Sequence, residues 1–505
     1  MKLHITGDIN PYYVQTLCMV FFPGAKFSES EVVTPQTPVL DLRMVPRADG
    51  AVSAYVTLTV GDKQAEAVET VPAREDLTVA KQVKIAAGRA VFSAGKGMFR
   101  YTPPWGILTG VRPAKIAAAF LQQGLGINKT KKMLQEEYFL NPQKAALSVA
   151  VANTELHATK RTTDRPCSLY ISIPFCPTRC AYCSFVSYTT PRLLSLIDVY
   201  LETLKADIVN LCTLIKQLEL QVVTVYIGGG TPTILNPAQL DELLSCVSAQ
   251  LDVSTLEEYT LEAGRPDTIT DEKLRIARAH GVTRVSVNPQ TLNDEILRSI
   301  GRRHTAAQFF DAYQSAVNAG FRNINVDLIA GLPGDNFSNF SKTLDTVIDL
   351  APSNITVHTF CVKKAAELLR GQANVYSRSG GDAAKCVSYS QLKTKFAGYK
   401  PYYMYRQKNT VGNLENVGYA KEGAEGMYNI YMMEELHTIF AAGAGAVTKL
   451  VAREGDESLI TRIFTPKYPY EYLRDAALLR EGDPTRGKKS LTEQVFDFYQ
   501  KNRLV

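Results

Sequence analysis

The sequence predicts an α/β protein centred on six parallel β/α units, with a small α/β domain ahead of them and an α+β domain behind. Two observations carry this prediction. Strand-like segments recur at 169–173, 222–227, 258–262, 284–288, 323–329 and 354–360, separated by helical patterns at 191–218, 237–250, 271–280, 291–300 with 306–319, and 337–350. Such alternation implies βαβ units in a parallel sheet. The sequence motifs that could carry chemistry also fall just after these strands, where parallel barrels place their active-site loops.

The chain has 505 residues, more than one core can hold. Its segments divide into a small N-terminal α/β domain (1–100), a helical connector (101–165), the parallel β/α domain (166–365) and a C-terminal covering domain (366–505). At 45% hydrophobic and 21% charged residues, the composition excludes a disordered chain. A formal charge of +6 gives no call for a nucleic-acid partner. Nine cysteines spread along the chain are not the paired framework of a small secreted protein, so a reducing, cytoplasmic setting is expected. The apolar stretch Tyr13–Phe22 is too short and too interrupted to span a bilayer or to act as a signal sequence.

In chain order, LDLRMV (40–45) and AYVTLTV (54–60) alternate as strands should, and Thr78–Ala94 carries the apolar stripe of a helix. His4 and Cys18 stand alone, as structural residues do. Prolines and glycines between Tyr101 and Gly110 mark a turn-rich join, with Trp105 expected to pack rather than bind. Helices are expected at 113–124, 129–138 and 142–158, and the polar run Thr159–Pro166 closes the connector.

The first strand of the β/α series leads into LYISIPFCPTRCAYCSF, where Cys176, Cys180 and Cys183 have the spacing C-x3-C-x2-C. Three thiolates on one loop can converge on a metal centre, because soft sulfur is what iron–sulfur clusters and zinc prefer. No fourth ligand follows nearby; the next cysteine is Cys212 and the next histidine His280. A zinc site completed from elsewhere in the chain, and three ordinary buried thiols, stay open on spacing alone. The later strands end in Gly228-Gly229-Gly230-Thr231-Pro232, in Glu262, in Gln290 with Arg302 one helix further on, in Asp327 ahead of Gly331-Leu332-Pro333-Gly334, and in Cys361. Glycines let backbone approach a ligand closely, and a strand-end carboxylate can pair with an ammonium group or accept from hydroxyls.

Taken together in this order, the motifs over 167–450 resemble the radical S-adenosylmethionine (SAM) superfamily, whose core is a partial parallel (β/α)6 barrel. The lead-in Tyr170, Ile173, Pro174 and Phe175 resembles the branch of oxygen-independent coproporphyrinogen III dehydrogenases and their haem-chaperone relatives, particularly a longer subfamily with an N-terminal extension. The resemblance implies a 4Fe–4S cluster on Cys176, Cys180 and Cys183, with SAM on the iron that the protein leaves open. It implies Tyr170, Tyr182, Gly229, Glu262 and Val447 around that SAM, the last in the turn FAAGAGAVT. It further implies Gly230, Thr231, Gln290, Arg302, Asp327 and Cys361 around a second SAM. The reaction implied is oxidative decarboxylation of propionates to vinyl groups, giving protoporphyrinogen IX, with a flavodoxin or ferredoxin as electron donor. Lys363, Lys364, Arg370 and the segment Tyr405–Lys408 are candidate contacts for a carboxylate-bearing tetrapyrrole. Two departures stand out. Gly264-Arg265-Pro266 replaces the usual Asn-Pro or Asp-Pro, and Phe185 stands where the classical dehydrogenases carry a further cysteine. The second of these the chain shares with haem chaperones that do not decarboxylate.

Overall fold

The computed structural model describes residues 1–27, 34–110, 112–159, 163–183, 187–361, 380–407, 410–454, 457–480 and 490–502. Phe185, Lys363, Lys364, Arg370 and Lys408 lie outside the described residues.

The first four strands, β1 (Lys2–Thr6), β2 (Val39–Pro46), β3 (Val52–Val60) and β4 (Lys63–Val71), form a sheet in sequence order. β1 runs parallel to β2 and the others are antiparallel. Helices Pro11–Phe21 and Val79–Phe99 are capped by the Asn10 and Thr78 side chains, which accept from Tyr12 and Lys81 amides. Leu40, Leu42, Met44, Val56 and Leu58 pack with Ile85, Ala86, Ala90 and Val91 into a core distinct from that of the rest of the chain. The expected strands lie inside β2 and β3. β4, KQAEAVETV, carries its charges at Lys63, Glu66 and Glu69, every third residue, and its inward positions include only Ala65, Ala67, Glu69 and Val71, so no apolar alternation marks it as a strand. Cys18 is a core thiol that burial pushes up to about 12.

Connector helices follow at Ala114–Gln122, Ile127–Tyr138 and Pro142–Ala158. Trp105 is buried, as expected of a packing residue. Its Nε1 donates to Glu415 Oε2 at 2.8 Å, the same carboxylate that holds Lys144 Nζ, and Arg406 lies over its ring at 5.2 Å. Arg406 donates to the Leu108 and Asn413 carbonyls. It therefore ties the connector down, and is not the substrate contact suggested by its place among tyrosines and amides.

Among the described residues the second sheet has eleven strands. β5 (Pro166–Ile173), β6 (Gln221–Gly229), β7 (Glu258–Leu261), β8 (Arg284–Ser286), β9 (Asn323–Ala330) and β10 (Asn354–Thr359) are parallel neighbours in sequence order. These are the six strands expected, arranged as an open sheet. Beyond β10 lies β12 (Glu415–Ala420), antiparallel to it, and then β11 (Lys400–Arg406), antiparallel to β12. On the other flank β13 (Ile439–Ala442) pairs parallel with β5, followed by the hairpin β14 (Val447–Glu454) and β15 (Glu457–Phe464). The division expected at 365/366 is thus corrected: the later strands extend this same sheet at both edges, because the open edges of β5 and β10 offer unpaired backbone groups. Helices Pro469–Arg480 and Leu491–Lys501 pack back through Tyr472, Phe498 and Tyr499 into the same core.

Strand parity sorts the six parallel strands into two faces. Leu169, Ile171, Ile173, Val225, Ile227, Leu261, Val285, Val326, Leu328 and Val357 are buried among the helices. The opposite face is polar: Ser168, Tyr170 and Ser172 on β5; Thr224 and Tyr226 on β6; Glu258 and Thr260 on β7; Arg284 and Ser286 on β8; Asn325 and Asp327 on β9; Thr356 and His358 on β10. At its N-terminal end this face is sealed by the segment around Ala424–Tyr428. Arg284 bonds Glu258 at 3.2 Å and the Ala424 and Glu425 carbonyls at 2.8 and 3.0 Å, and the Met427 amide donates to Glu258 at 2.8 Å.

Candidate active site

The three-cysteine loop is tied down at both ends. Cys176 N donates to the Tyr188 carbonyl at 3.0 Å and Tyr188 N to the Pro174 carbonyl at 2.8 Å. Further along, Ala181 N reaches the Ile300 carbonyl at 3.0 Å and Cys183 N the Cys180 carbonyl at 3.1 Å. Cys176 Sγ lies 3.2 Å from Thr231 Oγ1, and Cys180 Sγ lies 3.8 Å from Arg265 Nη1. Burial raises the Cys176 thiol to about 11, against the Thr231 hydroxyl, which lowers it. A metal is what would turn such a thiol into thiolate. Among the described residues no three His, Cys, Asp or Glu side chains gather around a point as ligands of a single ion would. A cubane asks for something different, one thiolate on each of three separate irons.

The glycine-rich loop does a job that its sequence did not disclose. Gly230 N donates to the Ile173 carbonyl at 2.7 Å and Thr231 N to the Phe175 carbonyl at 2.8 Å. A Cβ on Gly230 would stand 2.5 Å from the Phe175 carbonyl oxygen and 2.9 Å from that of Ile173. These amides are therefore spent on closing β6 against the cysteine loop. Gly229, at φ +106°, is the left-handed turn that makes the approach feasible.

Glu262 follows β7, with its amide on the Ile227 carbonyl at 2.9 Å. A Cβ on Gly228 would meet its Oε2 at 2.6 Å. The residue as a whole is half-buried. Burial first, and then the charge of Asp327, push its pKa up to about 8, against the lowering effect of the Tyr226 hydroxyl and Gly229 amide that bond it. Burial works to raise Asp327 too. There His358, Asn325 and Thr356 win and hold it below the usual carboxylate range. Asn288 and Asn325 donate to its oxygens at 2.8 and 2.7 Å, and His358 Nε2 stands 3.7 Å away.

Arg302 is buried with its fork filled. Nε and Nη2 donate to Tyr182 Oη at 3.0 and 2.9 Å, and Nη1 to the Gly264 and Asn288 carbonyls at 3.2 and 3.1 Å. It joins the cysteine loop to the ends of β7 and β8. Gln290, at φ +70°, pairs with Leu328 and leaves its buried Oε1 without a hydrogen-bond partner. His304 is buried, and burial and then the Arg302 charge lower it to about 4, so it sits behind the site as a neutral ring. Cys361 is half-buried and bridges to Thr410. Val447 opens β14 directly after the turn whose Ala444 carbonyl accepts from Ser172 Oγ at 3.0 Å.

Sequence reasoning named Tyr170 and Tyr405 but missed the rest of the aromatic wall, Tyr226, Tyr403 and Tyr428. Tyr170, Tyr226 and Tyr428 stack with ring centroids 4.6 to 6.2 Å apart. Tyr403 and Tyr405 stack at 6.3 Å, and Tyr405 Oη lies 3.2 Å from His358 Nδ1. The buried Tyr428 hydroxyl has no hydrogen-bond partner. Strand parity could have aligned Tyr170 with Tyr226; nothing local announces Tyr428, which arrives from the sealing segment.

Comparison with known proteins decides the family. The family model of the radical SAM superfamily matches residues 170–347. The chain is 38% identical over 396 residues to the oxygen-independent coproporphyrinogen-III oxidase-like protein HemZ of Bacillus subtilis (strain 168), covering 78% of each. The chain belongs to the radical SAM superfamily, in its coproporphyrinogen-III oxidase-like branch. It is also 31% identical over 281 residues to the heme chaperone HemW of the same bacterium, covering 55% of this chain and 70% of that one. Coproporphyrinogen III oxidase (HemN) from Escherichia coli, a solved structure titled as a radical SAM enzyme, superposes with a TM-score of 0.50. That match is 23% identical over 65% of this chain and 72% of that chain, and shows the shared fold.

Radical SAM proteins use a 4Fe–4S cluster and SAM, and the residues present fit both. Three thiols project from one pinned loop. A carboxyl held partly protonated by its surroundings is the partner that an ammonium group would relieve. The partnerless Tyr428 hydroxyl lies close enough to feel the Glu262 charge, and the partnerless Gln290 oxygen stands where the chain pairs with β9.

Proposed function

We propose that this radical SAM protein is an oxygen-independent coproporphyrinogen III dehydrogenase, converting propionate side chains to vinyl groups on the route to protoporphyrinogen IX. The observation that carries the reading is the juxtaposition of the three-cysteine loop with a polar strand face walled by stacked tyrosines. When bound, the cluster and SAM would supply abstraction of one hydrogen atom from a propionate, and the substrate radical would form the vinyl group by losing carbon dioxide and passing one electron to an external one-electron acceptor.

The chain's own residues position and shield. Cys176, Cys180 and Cys183 hold the cluster. Glu262 receives the SAM ammonium, while Tyr170, Tyr182, Gly229 and Val447 bound that site. Thr231, Gln290, Asp327 and Cys361 line the neighbouring position, where a second SAM would bind. Gly230 and Arg302 brace the walls between the two. The stacked Tyr403 and Tyr405 pair offers an aromatic edge of the kind a flat macrocycle packs against, with His358 held beside it by Asp327 and the Tyr405 hydroxyl. A reducing cytoplasm and a flavodoxin- or ferredoxin-type donor suit this chemistry. No helix among the described residues is long and apolar enough to cross a membrane.

The identity with HemW gives the second reading, a haem chaperone that keeps the cluster without decarboxylating. Anaerobically reconstituted protein incubated with a reductant, SAM and coproporphyrinogen III separates the two by mass spectrometry. Vinyl-bearing products support the dehydrogenase. Stoichiometric haem binding with no turnover replaces it with the chaperone.

A further inference from the structure

We propose that Arg265 sets the reduction potential of the iron–sulfur cluster by holding a buried cation against the Cys180 sulfur. This rests on Cys180 as a cluster ligand, and goes beyond it to the ease with which the cluster takes up an electron.

Arg265 stands where the sequence departs from the usual Asn-Pro or Asp-Pro after the strand-end glutamate. It is 3% exposed. The guanidinium divides its donors between two sides. Nη1 faces the cysteine loop, 2.8 Å from Thr178 Oγ1, 3.2 Å from the Thr178 carbonyl and 3.8 Å from Cys180 Sγ. Nε and Nη2 grip the two Asp267 oxygens at 3.1 and 3.0 Å. The positive end of this ion pair thus points at the sulfur and the negative end points away. Solvent widens the asymmetry: the Asp267 side chain is 16% exposed against 4% for Arg265. Water screens the carboxylate more than the cation, and the net field at Cys180 is positive.

A cluster gains one negative charge on reduction. A positive field and an N–H aimed at a ligand sulfur both favour the reduced form, and so raise the potential. Arg302 and the Tyr182 hydroxyl also act on Cys180, and Thr231 Oγ1 on Cys176 Sγ, and all of these stay in place when Arg265 or Asp267 is replaced. Arg265 is a positioning residue here, acting through Cys180.

The test is an EPR-monitored redox titration of the full chain, reconstituted anaerobically, with iron and sulfide counted per chain. Arg265→Gln is expected to lower the reduced-to-oxidised ratio at a fixed solution potential by about tenfold, equivalent to about 59 mV for one electron. Arg265→Lys should fall between that variant and wild type. Asp267→Asn, which removes the counter-charge and leaves the guanidinium in place, should shift the ratio the other way. Opposite shifts in the Arg265→Gln and Asp267→Asn proteins at wild-type iron content support the proposal. Unchanged potentials overturn it. Loss of iron from both variants also overturns it, because the pair is then only a clamp on the loop. A wild-type protein that stays colourless and iron-free would instead sink the assignment of Cys180 as a ligand.

Discussion

Gly230→Ala probes the joint between the glycine-rich loop and the cysteine loop. The added methyl group would lie 2.5 Å from the Phe175 carbonyl oxygen, 2.9 Å from the Phe175 amide nitrogen and 2.9 Å from the Ile173 carbonyl oxygen. All three are backbone atoms, so no side chain can rotate away and the strand ends must part. Overpacking of this kind costs about 1–3 kcal/mol. Separation also stretches the Gly230–Ile173 and Thr231–Phe175 bonds, each worth about 1 kcal/mol net when made. The local cost is therefore about 3–5 kcal/mol, borne next to Cys176. Because the rest of the core is untouched, the variant is expected to fold with a lower thermal midpoint and to hold less than half the wild-type iron after reconstitution. Gly97→Ala is the matching control. It lies in a helix with nothing within 4 Å of the new Cβ and should be neutral or stabilise by about 0.4–1 kcal/mol. Iron content is read by colorimetric assay and stability by thermal denaturation. Wild-type iron and midpoint in Gly230→Ala would refute the argument that these amides close the joint.

Glu262→Gln should act in opposite directions on stability and binding. The folded-state pKa of about 8 lies above the ordinary carboxyl value, so the native protein holds a proton that the unfolded chain has released. Stability of the SAM-free wild type should then fall as pH rises through the window from about 4.5 to 8. The glutamine variant should be the more stable at pH 8.5 in thermal denaturation while losing at least tenfold in SAM affinity by calorimetry; equal affinity would remove Glu262 from the ammonium site. Lys144→Met strips the cation from the buried Glu415 carboxylate and should cost about 3–5 kcal/mol in denaturant unfolding. A loss under 1 kcal/mol would mean that Trp105 Nε1 alone satisfies that group.

What could be read from the sequence was whatever is local. The strand before Cys176, the glycines after β6 and the carboxylate after β7 are each contiguous, and a parallel strand ends where its loop begins, so linear spacing maps directly onto the site. The polar face was legible in principle as a period of two: Glu258, Thr260 and Glu262 alternate with Tyr259 and Leu261. What stayed hidden depends on the paths of distant segments. Tyr428 reaches Tyr226 only because the chain returns to seal the sheet, and Arg265 meets Cys180 only because β7 and the cysteine loop end at the same height. Arg302 shows the limit of reading a residue type. A guanidinium fork suits a carboxylate, yet here a tyrosine and two carbonyls take its donors.

The order in which strands join the large sheet has a consequence for how such a chain matures. β5, which delivers the cysteines, gains its second neighbour from Ile439–Ala442, some of the last sheet residues to be synthesised. Until that stretch is in place, one flank of the strand is bare backbone, open to pairing with another edge. The strand that leads into Cys176 is thus completed by a stretch that follows every strand of the parallel series in the chain, and the geometry of the cysteine loop depends on residues far from it in sequence.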